Sequence, residues 1–434
     1  MAAPPFFWTQ KQDIGPSSRT SHGLTHDGAR KRVLLFGGDP GGSPLADTWD
    51  WDGALWTQIA DTGPSARQAL AMAFDPTASC VVLFGGASGS NVFADTWTWD
   101  GTEWTQVADT GPTARSGQAL AYDDARKRLV LFGGRSAANP LGDTWEWDGT
   151  EWTQVQDVGP SARSAHAMAF DATASRVVLF GGAGANGAGL GDTWLWDGTE
   201  WTQAADTGPE PRAGSAMVAA TTIVLFGGVN SIDPKLAQAD RIIYGDSWRC
   251  DGKAWTKVQD IGPTPRWGHG MAFRSDTGRI VLFGGSSVFG PAEDSSLQAG
   301  VIRDTWEHPE AAAQAGGGDG GTTQPASQGV QVKSVTFNLP MVTSGGVRVV
   351  DVTLTGPAPA GGVNLVAGVF DVSSAAAHVD KSSAFTIPPI TVAAGDSSTN
   401  FQIIYNGGLP AGNYYAVVVE VQGGVAQGAV FAIG

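Results

Sequence analysis

The sequence predicts an all-β chain: a six-bladed β-propeller closed by an N-terminal outer strand, followed by a C-terminal β-sandwich. Three observations predict it. A Phe-Gly-Gly element recurs at Phe36, Phe84, Phe132, Phe180, Phe226 and Phe283, at spacings of 48, 48, 48, 46 and 57 residues, which is the period of a propeller blade. Phe7-Trp8-Thr9-Gln10 is a fourth-strand motif without a blade, while the last repeat stops at Asp304-Thr305-Trp306 before its fourth strand. Pairing the two closes the ring and removes an open sheet edge. Beyond residue 330 the composition shifts to Val, Ala and Thr, with no Trp.

One repeat is read most easily from its arginine. From Arg163 to Asp171 large and small residues alternate with period two, which predicts a strand packed on both faces. Arg176–Phe180 follows as a continuous apolar strand ended by Gly181-Gly182. Trp194 and Trp196 mark the third strand, and Asp197-Gly198 makes a tight turn into the fourth at Trp201-Thr202-Gln203. Of the 17 tryptophans only Trp267, beside Arg266, lies outside the three repeat positions. A strict structural period assigns the others to packing between blades rather than to ligand stacking.

The propeller is expected over 5–308. An Ala/Gly-rich flexible linker is expected over 309–330, and the sandwich over 331–434, with about seven short strands between Val332 and Ile433 separated by turns such as Pro357–Gly362.

The formal charge is −16 and the isoelectric point about 4.6, without any Lys/Arg run. Such a chain lacks the electrostatic footprint for phosphate backbones, so no nucleic-acid partner is expected. No stretch has the apolar length of a membrane span, so no membrane insertion is expected either. Cys80 and Cys250 lie in different repeats with no metal-ligand spacing, so neither a disulfide nor a metal site is expected from them. The first residues carry no signal-peptide pattern. This leaves a mature form, exit by a route other than the general secretory one, or retention inside the cell, with a bacterial surface, extracellular or particle-associated location favoured.

The Phe-Gly-Gly, Asp-x-Trp and Pro-x-x-Arg elements, in six copies over 5–308, resemble the kelch repeat. The Asp-Thr-Trp-x-Trp-Asp-Gly flavour looks like the kelch arrays of bacterial proteins, in the galactose-oxidase-like superfamily. The C-terminal region is similar to Ig-like modules appended to bacterial surface and secreted proteins. Kelch propellers host unrelated functions, so the resemblance does not decide activity. Galactose oxidase implies a copper site of two His and two Tyr, one Tyr cross-linked to Cys. Here the propeller holds only Tyr122 and Tyr244, and the sandwich's one histidine, His378, has no site-like surroundings. No cofactor is expected. No iron-type spacing and no epimerase signature is present.

A site is best sought on the face that collects the Gly-Pro-x-x-Arg loops and the loops after Phe-Gly-Gly. Those loops are eight or nine residues in the first four blades but 17 in blade five (Val229–Gly245) and 18 in blade six (Ser286–Arg303). Long loops on a rigid scaffold carry binding groups. The candidate ligand-binding residues are Arg266, Trp267 and His269 with Asp233, Asp240, Arg241, Tyr244, Glu293, Asp294 and Arg303. The six repeat arginines, Arg19, Arg67, Arg115, Arg163, Arg212 and Arg266, could ring the channel as an anion site. The repeat favours a structural role, bonding carbonyls or an Asp of a neighbouring blade. His22, His166 and His269 share one repeat position, which the kelch pattern explains without a metal. No nucleophile or general base stands out.

Two functions are carried forward. The first is a non-catalytic binding or structural protein that presents the blade five and six loops to a glycan or protein, with the Ig-like domain docking it in a larger assembly. The second is a carbohydrate- or small-metabolite-active enzyme of oxidase or epimerase type at the same face.

Overall fold

The computed structural model describes residues 6–11, 15–204, 207–252, 254–258, 260–288 and 300–310, and the strand backbones between Val332 and Ile433. The described residues between 11 and 310 build a ring of six antiparallel sheets. Blade one runs Gly23–Asp27, Arg32–Phe36, Thr48–Trp51 and Trp56–Ala60, and each blade pairs its strands in chain order from the axis outward. Blade six supplies Gly270–Arg274, Arg279–Phe283 and Thr305–Pro309. Its outer edge meets the N-terminal segment: the Lys11 N–H donates to the Thr305 carbonyl at 2.7 Å, and the Lys11 ammonium lies 3.2 Å from Glu307. One 3₁₀ turn, Gln238–Asp240, is the only helical element among the described residues.

The second strands show why the repeat packs. Val33, Leu34, Leu35 and Phe36 are all buried, and strand alternation sends successive side chains to opposite faces. Leu34 and Phe36 join Leu70, Met72, Val81, Leu83, Trp99 and Trp104 of blade two. Val33 and Leu35 join Trp51 and Trp56 of their own blade with Ala272, Val281 and Phe283 of blade six. Each blade is therefore half of two cores, and none buries its surface alone.

The tryptophans sit in these interfaces, as their period requires. The fourth-strand indole N–H of Trp104 donates to Thr48 Oγ1 of the preceding blade at 2.9 Å, and Phe36 meets the same ring edge-on at 5.4 Å. Trp152 repeats the bond to Thr96, Trp201 to Thr144, Trp255 to Thr193, and Trp56 to Thr305 across the closure. After each second strand the chain needs two glycines. Gly37 has φ +65°, and a Cβ there would stand 2.6 Å from the Arg67 carbonyl oxygen, so no side chain fits.

The last propeller strand runs to Pro309, beyond the expected boundary, and Glu310 is buried after it. Glu310 accepts from Thr221 Oγ1 at 2.8 Å and pairs with Arg249 and His308. The remainder of the expected linker, 311–330, lies outside the described residues. Among the described residues the C-terminal region shows nine strands rather than about seven, in a four-stranded and a five-stranded sheet. The expected strand Phe385–Val392 is two, Phe385–Thr386 and Ile390–Val392. Pro388-Pro389 between them carries no N–H for a ladder. Met341–Val342 is an additional strand, parallel to the C-terminal one. Among the described residues no helix is long and apolar enough to cross a membrane.

Candidate functional site

The six repeat arginines are each 0–1% exposed. Arg115 is representative. Its guanidinium donates to the Gly133 carbonyl at 2.9 Å, to both carboxylate oxygens of Asp143 at 2.7 and 2.8 Å, and to the carbonyl and hydroxyl of Thr113. Asp143 also accepts the Trp145 indole N–H at 2.7 Å. Arg19–Asp47, Arg67–Asp95, Arg163–Asp192, Arg212–Asp246 and Arg266–Asp304 repeat the pair. The expectation of an Asp from a neighbouring blade is corrected. The carboxylate comes from the same blade, because strands two and three are antiparallel and the Asp that opens strand three lies level with the Gly that ends strand two. The neighbouring blade is reached through the backbone instead, as Gly86 N–H donates to the Arg115 carbonyl and Arg115 N–H to Phe93.

Burial alone would push these carboxyls up. The arginine hydrogen bonds and charge reverse that, and hold Asp47, Asp95, Asp143 and Asp192 below the usual range. Asp246, which also has Trp248 and Lys257 beside it, falls to about 2. The arginines are therefore spent inside the scaffold. Arg266 is fully buried and is not a surface group for a ligand.

His22, His166 and His269 are buried too, in blades one, four and six. Their rings pack edge-on to Phe283, Phe132 and Phe226 of the preceding blade at 5.4–5.5 Å. Burial, helped by the adjacent arginines, lowers His22 and His166 to about 3 and His269 well below its usual value. In blade three Gln118 takes this position and donates to the Phe84 carbonyl at 2.8 Å. No group of three metal-ligating side chains occurs among the described residues.

The blade five loop is built rather than loose. Arg241 donates to the carbonyls of Ser231, Asp233 and Leu236, and the Asn230 side chain joins the Asp240 carbonyl to the Ile242 N–H. The loop leans on blade four, where Ser231 Oγ and Ile232 N–H both reach the Gly187 carbonyl. Tyr244 covers the Arg212 guanidinium at 4.0 Å, the place Phe93 takes over Arg67. Lys235, Gln238, Asp240 and Ile242 remain exposed. Trp267 belongs to blade six: half-buried, it donates its indole N–H to the Val288 carbonyl at 2.8 Å. Arg303 is exposed, and Glu293 and Asp294 lie outside the described residues. Asp233 and Arg241 are thus gathered in one loop, while Trp267 is held by the other.

A belt of backbone bonds encircles the axis beneath these loops. Ser21, Ala69, Gly117, Ala165, Gly214 and Gly268 all have φ between 53° and 66°. Each donates its N–H to the carbonyl of the same position in the preceding blade, at 2.7–2.8 Å, and Ser21 completes the circle on Gly268.

The opposite end of the channel carries a feature that sequence reasoning missed. The first strands enclose a cavity of about 450 Å³. Leu24, Met72, Leu120, Met168, Met217 and Met271 form its floor, and His26, Phe74, Tyr122, Phe170 and Phe273 ring its mouth. The first strand is packed on both faces as expected, Met168 and Phe170 against the core shared with blade three and Ala167 and Ala169 against the core shared with blade five, while the half-buried Phe170 also lines the cavity. The signal was present: an aromatic residue stands immediately before the Asp or Arg that ends this strand in five of six repeats.

Comparison with known proteins agrees with this architecture. The family model of the KLHDC2/KLHL20/DRC7 Kelch-repeats domain matches residues 101–285. No curated protein matches the chain. Among solved structures, YjhT is similar at 14% identity and a TM-score of 0.53, over 67% of this chain and 95% of that one. AofleA from Arthrobotrys oligospora aligns at 10% identity and a TM-score of 0.39, over 91% of this chain and 92% of that one. At such identity the likeness to YjhT bears on fold alone. The chain carries a Kelch-repeat domain built as a six-bladed β-propeller.

Proposed function

We propose that the protein is a non-catalytic binding protein, whose propeller presents the blade five and six loop face to a protein or glycan partner. The observation that carries this reading is the construction of Val229–Gly245. Arg241 and Asn230 spend their hydrogen bonds on fixing the loop's own backbone, and Ile242 is left 54% exposed at its edge. A pre-ordered loop loses little entropy on binding. Trp267, Asp233, Asp240 and Arg303 extend the same face, and the C-terminal region, read as an Ig-like module, serves as the docking unit to a larger assembly.

The test replaces Val229–Gly245 by the eight residues Ala87–Ala94 that serve blade two. Glycan arrays and pull-downs with the parent and the shortened protein should differ in a saturable partner. Identical profiles from two equally stable proteins would remove this face from consideration.

A further inference from the structure

We propose that the cup on the hairpin-turn face of the channel is a second binding site, for an apolar cation: the alkylated ammonium group of a small molecule or of a methylated lysine side chain. It lies at the other end of the channel from the loop face and does not depend on that assignment.

The cup's shape is that of a ligand site. Its volume of about 450 Å³ falls within the roughly 300–1,000 Å³ of small-molecule pockets. Met72, Leu120, Met168, Met217 and Met271 are nearly buried and line it two residues further along each strand from the turn face. Methionine thioethers are polarisable and adapt to the shape of an apolar body.

The chemistry of the lining selects the charge. Four carbocyclic rings (Phe74, Tyr122, Phe170 and Phe273) stand around one mouth on four different blades. Aromatic faces are electron-rich and attract a cation, most strongly where water is displaced. The lining contains no Lys or Arg, and its one carboxylate is Asp124, paired at the exposed rim with Lys127 at 2.7 Å. Just behind the mouth, buried carboxylates follow the rim residues in sequence at Asp27, Asp75, Asp123 and Asp171. Arg30 and Arg126 offset two of them. Asp75 and Asp171 accept backbone N–H groups of their own turns, from Thr77 and Ala78 and from Thr173 and Ala174. His26, the remaining rim group, faces Asp276 at 3.2 Å; burial foremost keeps its pKa below the usual value, so at neutral pH it adds little positive charge. An anion would meet aromatic rings and carboxylates, because the basic groups around the rim, Lys127, Arg30, Arg126 and Arg274, are each already paired with a carboxylate. A neutral sugar would find few free polar partners, because the Tyr122 hydroxyl is already bound to Thr77 at 2.6 Å.

Calorimetric titration of the full-length protein with choline and with its neutral isostere 3,3-dimethylbutan-1-ol isolates the charge. The cation is expected to bind about 5- to 30-fold more tightly. A trimethyl-lysine peptide beside its unmodified counterpart distinguishes a side-chain ligand from a free one. Tyr122→Leu/Phe170→Leu, which keeps the rim apolar, is expected to weaken choline about tenfold with an unchanged melting temperature. Should that variant unfold, Phe74→Leu alone gives the same reading. Equal affinity for choline and the alcohol would overturn the proposal, as would no binding of choline or trimethyl-lysine. Choline binding indifferent to the rim substitutions would place the site elsewhere and overturn it equally.

Discussion

Substituting Asp143→Asn tests whether the arginine sockets hold the blades together. The replacement is isosteric, so what it removes is charge and one acceptor. Arg115 loses two charge-assisted bonds of 2.7 and 2.8 Å, but keeps the Gly133 carbonyl and both oxygens of Thr113. Its guanidinium stays at 0% exposure with no counter-charge. Breaking a buried pair from one side costs roughly 3–5 kcal/mol. The three retained bonds and the 21% exposure of the Asp143 side chain place this case near the lower end, about 3 kcal/mol. The double variant Arg115→Met/Asp143→Asn removes the stranded cation, and the new amide oxygen can still accept the Trp145 indole N–H. The Gly133 carbonyl and both oxygens of Thr113 then lose their donor; Thr113 is exposed to water, so the cost is mainly that of the buried Gly133 carbonyl, about 1–2 kcal/mol. Urea unfolding followed by tryptophan fluorescence at pH 7 should therefore rank the double variant above the single one. A single variant within about 1 kcal/mol of the parent, or a double variant weaker than the single, would refute the reasoning.

Three further outcomes follow from the same geometry. Ala69→Gly and Ala165→Gly relieve residues held at φ +53° and +54°, and each should raise the unfolding free energy by about 0.5–1 kcal/mol net of the glycine's extra chain entropy; a lower melting temperature would contradict the belt. His166 has a folded pKa of about 3 against 6.5, so the unfolded chain binds a proton first, and the associated stability is complete above pH 6.5 and drains away as pH falls toward 3. His166→Gln, which copies the Gln118 of blade three, should remove that dependence and leave the protein about 2 kcal/mol more stable relative to the parent at pH 5 than at pH 8; parallel urea midpoints across pH 4–8 would speak against it. Trp104→Phe deletes the donor to the buried Thr48 hydroxyl and should cost about 1–3 kcal/mol, whereas Thr48→Val in that background should restore part of it; an unaltered parent-like unfolding curve for Trp104→Phe would show that the bond is idle.

What the sequence made legible depended on how local the deciding interaction is. Blade number, strand order and the role of the tryptophans follow from a period, because each repeat must bury the same face against its neighbour. The partner of each arginine is harder. An Asp of the same blade and one of the next are equally periodic in sequence, and only the antiparallel step from Gly133 back to Asp143 makes the first of them adjacent to Arg115. The extra length of the blade five loop is visible by counting. Its lean toward Gly187 in blade four rests on backbone bonds that no residue type announces. The cup is the least local feature. The Ala-Met-Ala-Phe of the first strand reads as core on both faces, and it is core on both faces, but only the closing of six such strands around an axis makes Met168 and Phe170 line a cavity as well. Closure leaves a space too wide for the four rings and the Leu/Met floor to fill. The apolar face of an innermost propeller strand therefore serves two ends at once, core and channel lining. With six blades here, Phe74, Tyr122 and Phe170 keep their packing against the blade interfaces and also line the cavity.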